Sequence, residues 1–183
     1  MTQAIDVALV GATGAVGEIM LHVLEQHAFP VRTLYPLASA RSAGRTVRFR
    51  GQDLPVGVLD DFDFSRVRIG LFSAGGSVSA AHAPRAAAAG CVVIDNTSHF
   101  RRDADIPLVV PEVNAHALAG YTRRGIIANP NCSTIQMVVA LKPLHDAAGI
   151  TRINVATYQS VSGTGKRAMD ELTAQSRAVL DGQ

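Results

Sequence analysis

Residues 5–27 read IDVALVGATGAVGEIMLHVLEQH, and this order decides the fold. IDVALV at 5–10 is a short apolar run rich in β-branched side chains, closed by Gly11. Such a run reads as a parallel strand buried on both faces. From 14 to 27, Val16, Ile19, Met20, Val23 and Leu24 recur at helical spacing. Gly11, Gly14 and Gly17 lie in GATGAVG, between the strand and the body of the helix. A glycine turn in that position is the setting a dinucleotide fingerprint needs. The first glycine permits the sharp turn. The second lets backbone N–H groups approach a pyrophosphate, and the third lets the helix pack on the strand. The pyrophosphate would sit at the positive helix end. The spacing is GxxGxxG and not GxGxxG, so a ligand-free turn is the competing reading. The flanking strand and helix favour a nucleotide.

Outward from this unit the pattern repeats. Residues 31–37 read as a second strand, 45–59 as a small hairpin around Gly51, and 67–72 as a third parallel strand. An Ala-rich helix is expected at 77–89 and another strand at 91–96. Strands alternating with helices predict an α/β fold, a doubly wound parallel sheet of Rossmann type. The character changes near 129. NPNCSTIQMVVALKPLHDAAG reads as a turn and a helix over 132–147, with Gly149 just past its end. A long strand is expected at 151–162 and a helix at 166–180. The chain therefore divides into a nucleotide domain, 1–131, and the start of an α+β domain, 132–183. One strand and one helix are too little for a stable second domain, so the sequence reads as truncated or completed from outside.

Composition narrows the function classes. Of 183 residues, 48% are hydrophobic and 17% charged, which suits a core-forming soluble chain. A net charge of +2, with the basic residues scattered, argues against a nucleic-acid partner. Arg45, Arg48 and Arg50 are the densest basic group, and their spacing fits the exposed face of a hairpin. No run is long and apolar enough for a membrane helix, and the N-terminus lacks the signal-peptide pattern. A reducing, cytoplasmic setting is expected. The two cysteines are too few for a disulfide scaffold, and no metal site is expected. Cys91, in CVVI, reads as a buried strand residue.

The cofactor can be read further. An NAD-specific fold places an acid at the end of the second strand, to bond the ribose 2′-OH. LYPLASARSAG at 34–44 has none there and offers Ser39, Arg41 and Ser42. A guanidinium suits a 2′-phosphate, so NADP is expected over NAD. A merely solvated Arg41 is the competing reading. Ser73, Ala74 and Gly75, in FSAGGS, suit a loop over the cofactor, although small residues suit any tight turn.

Cys132 follows Asn129-Pro130-Asn131 and falls at the helix start. A helix N-terminus stabilises a thiolate, and the thiolate is the nucleophile. Neighbouring N–H groups or the Asn131 amide could stabilise an oxyanion. A thiol that attacks an aldehyde gives a species whose hydride a nicotinamide accepts. The competing reading is an inert core cysteine. A base is also needed. His22, His27 and His82 lie on predicted helices and read as surface residues. His145 is 13 residues along the same helix, roughly 20 Å away. His99 and His116 lie in loops with nothing to favour them, so the base is expected outside this chain.

VALVGATGAVGE at 7–18, ASARSAG at 38–44, FSAGGSVS at 72–79, VIDNTSHFR at 93–101, VPEVN at 110–114, NPNCSTIQ at 129–136 and YQSVSGTG at 158–165 together resemble the aspartate-semialdehyde dehydrogenases, in their bacterial branch. The resemblance runs the whole chain. Reductases of N-acetylglutamyl phosphate share the outline, but NPNCSTIQ fits the semialdehyde enzymes better. The resemblance implies reductive dephosphorylation of aspartyl phosphate to aspartate semialdehyde, feeding lysine, threonine and methionine synthesis. It implies that Cys132 forms the acyl thioester, that Gln159 places the substrate, that Arg101 holds the phosphate and that Asn131 lines the same pocket. It assigns NADP contacts to Thr13, Gly14, Ala15, Val16, Arg41, Ser42, Ser73, Ser162 and Gly163. It makes 132–183 the beginning of a catalytic and dimerisation domain, with a homodimer or homotetramer at full length. Members are about twice this length, and the histidine base is expected in the remainder. The rival expectation is a non-catalytic NADP-binding module.

Overall fold

The structure, a computed structural model, describes residues 3–42 and 44–182; Ala43 of the ASARSAG stretch and the chain ends lie outside it. The elements in order are β1 (Ile5–Val10), α1 (Ala15–Gln26), β2 (Val31–Ala38), β3 (Thr46–Phe49), β4 (Gln52–Pro55), β5 (Gly57–Val58), β6 (Ile69–Phe72), α2 (Gly76–Ala88), β7 (Val92–Asp95), α3 (Pro111–Asn114), β8 (Ile126–Ala128), α4 (Cys132–Ala148) and α5 (Lys166–Leu180). Six strands form one parallel sheet in the order β5-β2-β1-β6-β7-β8. The α/β doubly wound expectation is borne out. β3 and β4 form the separate antiparallel hairpin.

β1 is central, and alternation along it divides the core. Ala8 and Val10 face one cluster with Phe72, Ala83, Ala86, Val93 and Ile126, beneath α2. Val7 and Leu9 face the other, with Leu21 of α1 and with Val47 and Phe49 of the hairpin. Side chains that alternate between two buried faces require an unbroken apolar strand. The register pairs Val10 with Leu37 on one side and Phe72 on the other. The chain leaves β1 in opposite directions to β2 and β6, so a crevice opens at the carboxyl ends of these strands. Gly17 closes the unit. A Cβ there would lie 2.3 Å from the Gly11 carbonyl oxygen and 2.9 Å from the Ala12 Cα, so only glycine lets α1 approach β1.

The structure differs from the sequence expectation in three places. β5 and β8 are strands of two and three residues, too short to carry a periodic signal. Residues 115–123 form 3₁₀ turns after α3. The strand expected at 151–162 does not form. Residues 151–160 pair with no described strand and are exposed throughout. Strand character in a sequence becomes a strand only where a neighbour completes the hydrogen-bond ladder. α4 and α5, which flank this segment, contain no buried residue.

Candidate active site

A cleft of about 730 Å³ lies at the carboxyl ends of the parallel strands. Gly11, Thr13 and Gly14 line it at the start of α1, and Ser73, Ala74 and Gly75 at the start of α2. A Cβ at Gly11 would meet the Ser73 carbonyl oxygen at 2.7 Å, so the two loops touch through that glycine. Gly14 caps α1 without a side-chain bond. The first helical N–H groups therefore have no side-chain acceptor at the cap, which suits an anionic ligand. Ser39, Arg41, Ser42 and Arg45 line the same cleft, and Thr13 Oγ1 meets Ser42 Oγ at 3.4 Å. The glycine turn and the cationic turn are thus adjacent. A dinucleotide fits this set: an anion cradle at one helix end, guanidinium groups near it, and small residues where backbone must approach. Ala15, Val16, Ser162 and Gly163 are not among the lining residues. Thr164 and Gly165 are.

The structure adds residues that sequence reading passed over. Leu59, Asp60, Val78 and His82 also line the cleft. His82, read as a surface residue, is largely covered, because α2 carries it onto the loop after β5. His82 Nε2 lies 3.3 Å from an Asp60 carboxylate oxygen. Burial pushes the imidazole below its ordinary range, Arg85 adds to this, and Asp60 opposes it. Asp60 and His82 are 22 positions apart and carry no local motif, so no sequence signal joined them.

Cys132 is the first residue of α4 and is exposed. Asn131 caps the helix, its side-chain oxygen accepting from Ser133 N at 3.1 Å and from Ser133 Oγ at 2.6 Å. Its oxygen is committed to the cap, and its amide NH₂ is the group left to face a ligand. Gln159 Nε2 donates to Cys132 Sγ across 3.6 Å. Residues 27 positions apart thus meet at the helix start. Gly163 abuts this contact: a Cβ there would fall 2.6 Å from Gln159 Nε2. The turn at 161–164 therefore borders Gln159 on one side and, through Thr164, the cleft on the other.

Arg101 is half-buried. Its Nε donates to the Asn129 carbonyl at 2.9 Å, and an Nη donates to the Asn96 carbonyl at 3.1 Å. Asn129 Nδ2 donates to Asn96 Oδ1 at 2.7 Å, which ties the Arg101 loop to the segment leading into Cys132. Arg102, its neighbour, is exposed. Among the described residues no histidine bonds Cys132. His145 closes the far end of α4, where its Nδ1 accepts from Ile150 N at 3.1 Å. His99 and His116 are exposed. Cys91 contrasts with Cys132: it is buried, and burial pushes its thiol up to about 12.

Known proteins resemble this chain along its length. The family described as "Semialdehyde dehydrogenase, NAD binding domain" matches residues 6–121, and "Semialdehyde dehydrogenase, dimerisation domain" matches 141–183. An aspartate-semialdehyde dehydrogenase of Legionella pneumophila is 64% identical over 183 residues, covering 100% of this chain and 53% of the relative. A crystal structure of aspartate semialdehyde dehydrogenase II from Vibrio cholerae, complexed with ASA, matches with TM-score 0.94 at 62% identity. That match covers 99% of this chain and 54% of the other. An aspartate semialdehyde dehydrogenase from Candida albicans, solved with NADP, matches with TM-score 0.68 at 26% identity, covering 81% and 48%. The chain spans about half the length of the curated relatives it matches.

Proposed function

The chain belongs to the semialdehyde dehydrogenase family, and on that premise we propose that it supplies the cofactor domain and the nucleophile of an NADP-dependent aspartate-semialdehyde dehydrogenase. The observation that carries this reading is the meeting of Cys132 and Gln159 at the start of α4, beside a cleft shaped for a dinucleotide. In the biosynthetic direction the Cys132 thiolate attacks the acyl carbon of L-aspartyl 4-phosphate. The C–S bond forms, the C–O bond to phosphorus breaks, and phosphate leaves. Arg101, fixed by two backbone carbonyls, holds that oxyanion. Gln159 and the Asn131 amide orient the acyl group over the sulfur. NADPH held in the cleft would supply the hydride for reduction of the thioester to L-aspartate 4-semialdehyde, with the Cys132 thiolate as the leaving group.

Gly11, Thr13, Gly14, Ala15 and Val16 would hold the pyrophosphate at α1, and Ser39, Arg41 and Ser42 the 2′-phosphate. Ser73 and Gly75 would cover the cofactor, with Ser162 and Gly163 near its reactive end. We divide the chain near residue 131 into this cofactor unit and the start of a catalytic unit. The latter pairs with a second copy in a homodimer or homotetramer, consistent with the dimerisation-domain match. The activity is cytoplasmic and serves lysine, threonine and methionine synthesis. The test is Cys132→Ala in the full-length protein. Phosphate-dependent NADP reduction by aspartate semialdehyde should fall by about 10⁴-fold or more, with NADP binding retained. Turnover that survives this substitution overturns the mechanism.

A further inference from the structure

Asp95 is a fully buried carboxylate at the carboxyl end of β7, on the same core-facing parity as Val93. Fold alone does not call for it, since Val93 shows what packing prefers there, and a buried charge is costly unless fully bonded. Its bonds come from two elements. Oδ1 accepts from Ser79 Oγ of α2 at 2.7 Å and from Thr97 N at 3.2 Å. Oδ2 accepts from Thr97 Oγ1 at 2.8 Å. Thr97 Oγ1 in turn accepts from His99 N at 3.3 Å. The Asp95 carbonyl accepts from Asn129 N at 2.8 Å. Asn129 and Asn96 then provide the two carbonyls that fix Arg101.

These bonds form one continuous support. The carboxylate fastens the 96–101 loop to α2, whose first residues border the cleft, and its main chain fastens the segment that presents Cys132. We propose that Asp95 is a positioning residue: through Thr97 it holds Arg101 where the leaving phosphate is received, without touching substrate or cofactor. This rests on the oxyanion role given to Arg101 above. The physical reason is entropic. A loop held at its base by a three-bond carboxylate presents a guanidinium already restricted, so less freedom is lost on binding the anion.

The experiment uses the full-length protein, with inorganic phosphate as the probe and protection of Cys132 from iodoacetamide as the readout. Thr97→Val keeps the β-branched shape but removes the hydroxyl between Asp95 and His99 N; Thr97→Ser keeps it. The phosphate concentration giving half-protection should rise about tenfold in Thr97→Val and Asp95→Asn, the loss expected from one bond to a charged group. It should stay near the unmodified value in Thr97→Ser. NADP affinity and the alkylation rate without phosphate should be unchanged in all three. Unchanged half-protection in Thr97→Val overturns the inference, as does a matching loss of NADP affinity, which would mark a purely structural role. Arg101→Leu separates the two claims. If it leaves protection intact, the oxyanion role of Arg101 itself fails. If it abolishes protection while Thr97→Val does not alter it, only the role of Asp95 fails.

Discussion

Residues 5–128 and residues 132–180 carry comparable apolar content in forms suited to strands and helices, and the outcomes differ. In the first region β1 alone buries Val7, Ala8, Leu9 and Val10 completely, and each lies between paired strands and a covering helix or hairpin. In the second, Val139, Leu144, Ile153, Val155, Tyr158, Leu172, Val179 and Leu180 are exposed, and no residue of α4 or α5 is fully buried. α4 and α5 nonetheless form, because their hydrogen bonds are local. The 151–162 segment does not become a strand, because its bonds would have to be supplied by another strand. Local bonding survives without a core, and ladder bonding does not. The two regions also divide the chemistry. The first builds most of the cleft, and the second brings the Cys132 thiol and the Gln159 amide together, reaching the cleft itself through Thr164 and Gly165.

A glycine in each region tests this contrast, and the larger effect belongs to the first. At Gly17 an added methyl meets backbone, which cannot yield. Gly17→Ala should destabilise by about 3 kcal/mol, the upper end for overpacking, seen as a lowered urea midpoint. An unchanged midpoint would mean that α1 does not need its close approach to β1. At Gly163 the added methyl meets the end of the flexible Gln159 side chain. Gly163→Ala should leave the urea midpoint in place while lowering kcat/KM of the full-length protein by about tenfold, a loss of one positioned hydrogen bond. Gln159→Ala should do the same, and the double variant should lose no more than either alone. Additive losses would show that Gly163 acts elsewhere.

The smallest effect at neutral pH concerns the cysteines, one in each region. At neutral pH in the folded state, one thiol should react rapidly with a thiol reagent and the second only in urea. Rapid reaction of both would contradict the burial of Cys91. Burial raises the Cys91 thiol from 9.0 to about 12. Between those values the folded chain holds a proton the unfolded chain has released. The contribution is therefore fully present below pH 9 and is lost as pH rises toward 12. Cys91→Ala should flatten the fall in urea midpoint over that window.

Much of both regions was legible where the signals are local. The strand–turn–helix of 5–27, the hairpin about Gly51 and the helix start at Cys132 each follow from spacing and turn chemistry over a few residues. β5 and β8 were not legible, since strands of two or three residues have no period to read. Within the site, Gly11, Arg41 and Ser73 could be named one by one from their motifs. That His82 would turn from the surface of α2 onto Asp60 could not, because the contact joins a helix to a loop 22 positions earlier. Asp95 was visible only as one letter of VIDNTSHFR; its burial and its three bonds give it meaning.

By itself the sequence determined the α/β alternation, the glycine cradle, the cysteine at a helix start and the likeness to a family, because each is written in neighbouring residues. Only the tertiary structure decided that Gln159 meets Cys132, that Arg101 is held by Asn96 and Asn129, and that 151–162 stays unpaired. Those outcomes depend on which distant segments come within bonding range, and hydrogen bonds fall away over fractions of an ångström. A one-dimensional pattern does not carry distances of that kind.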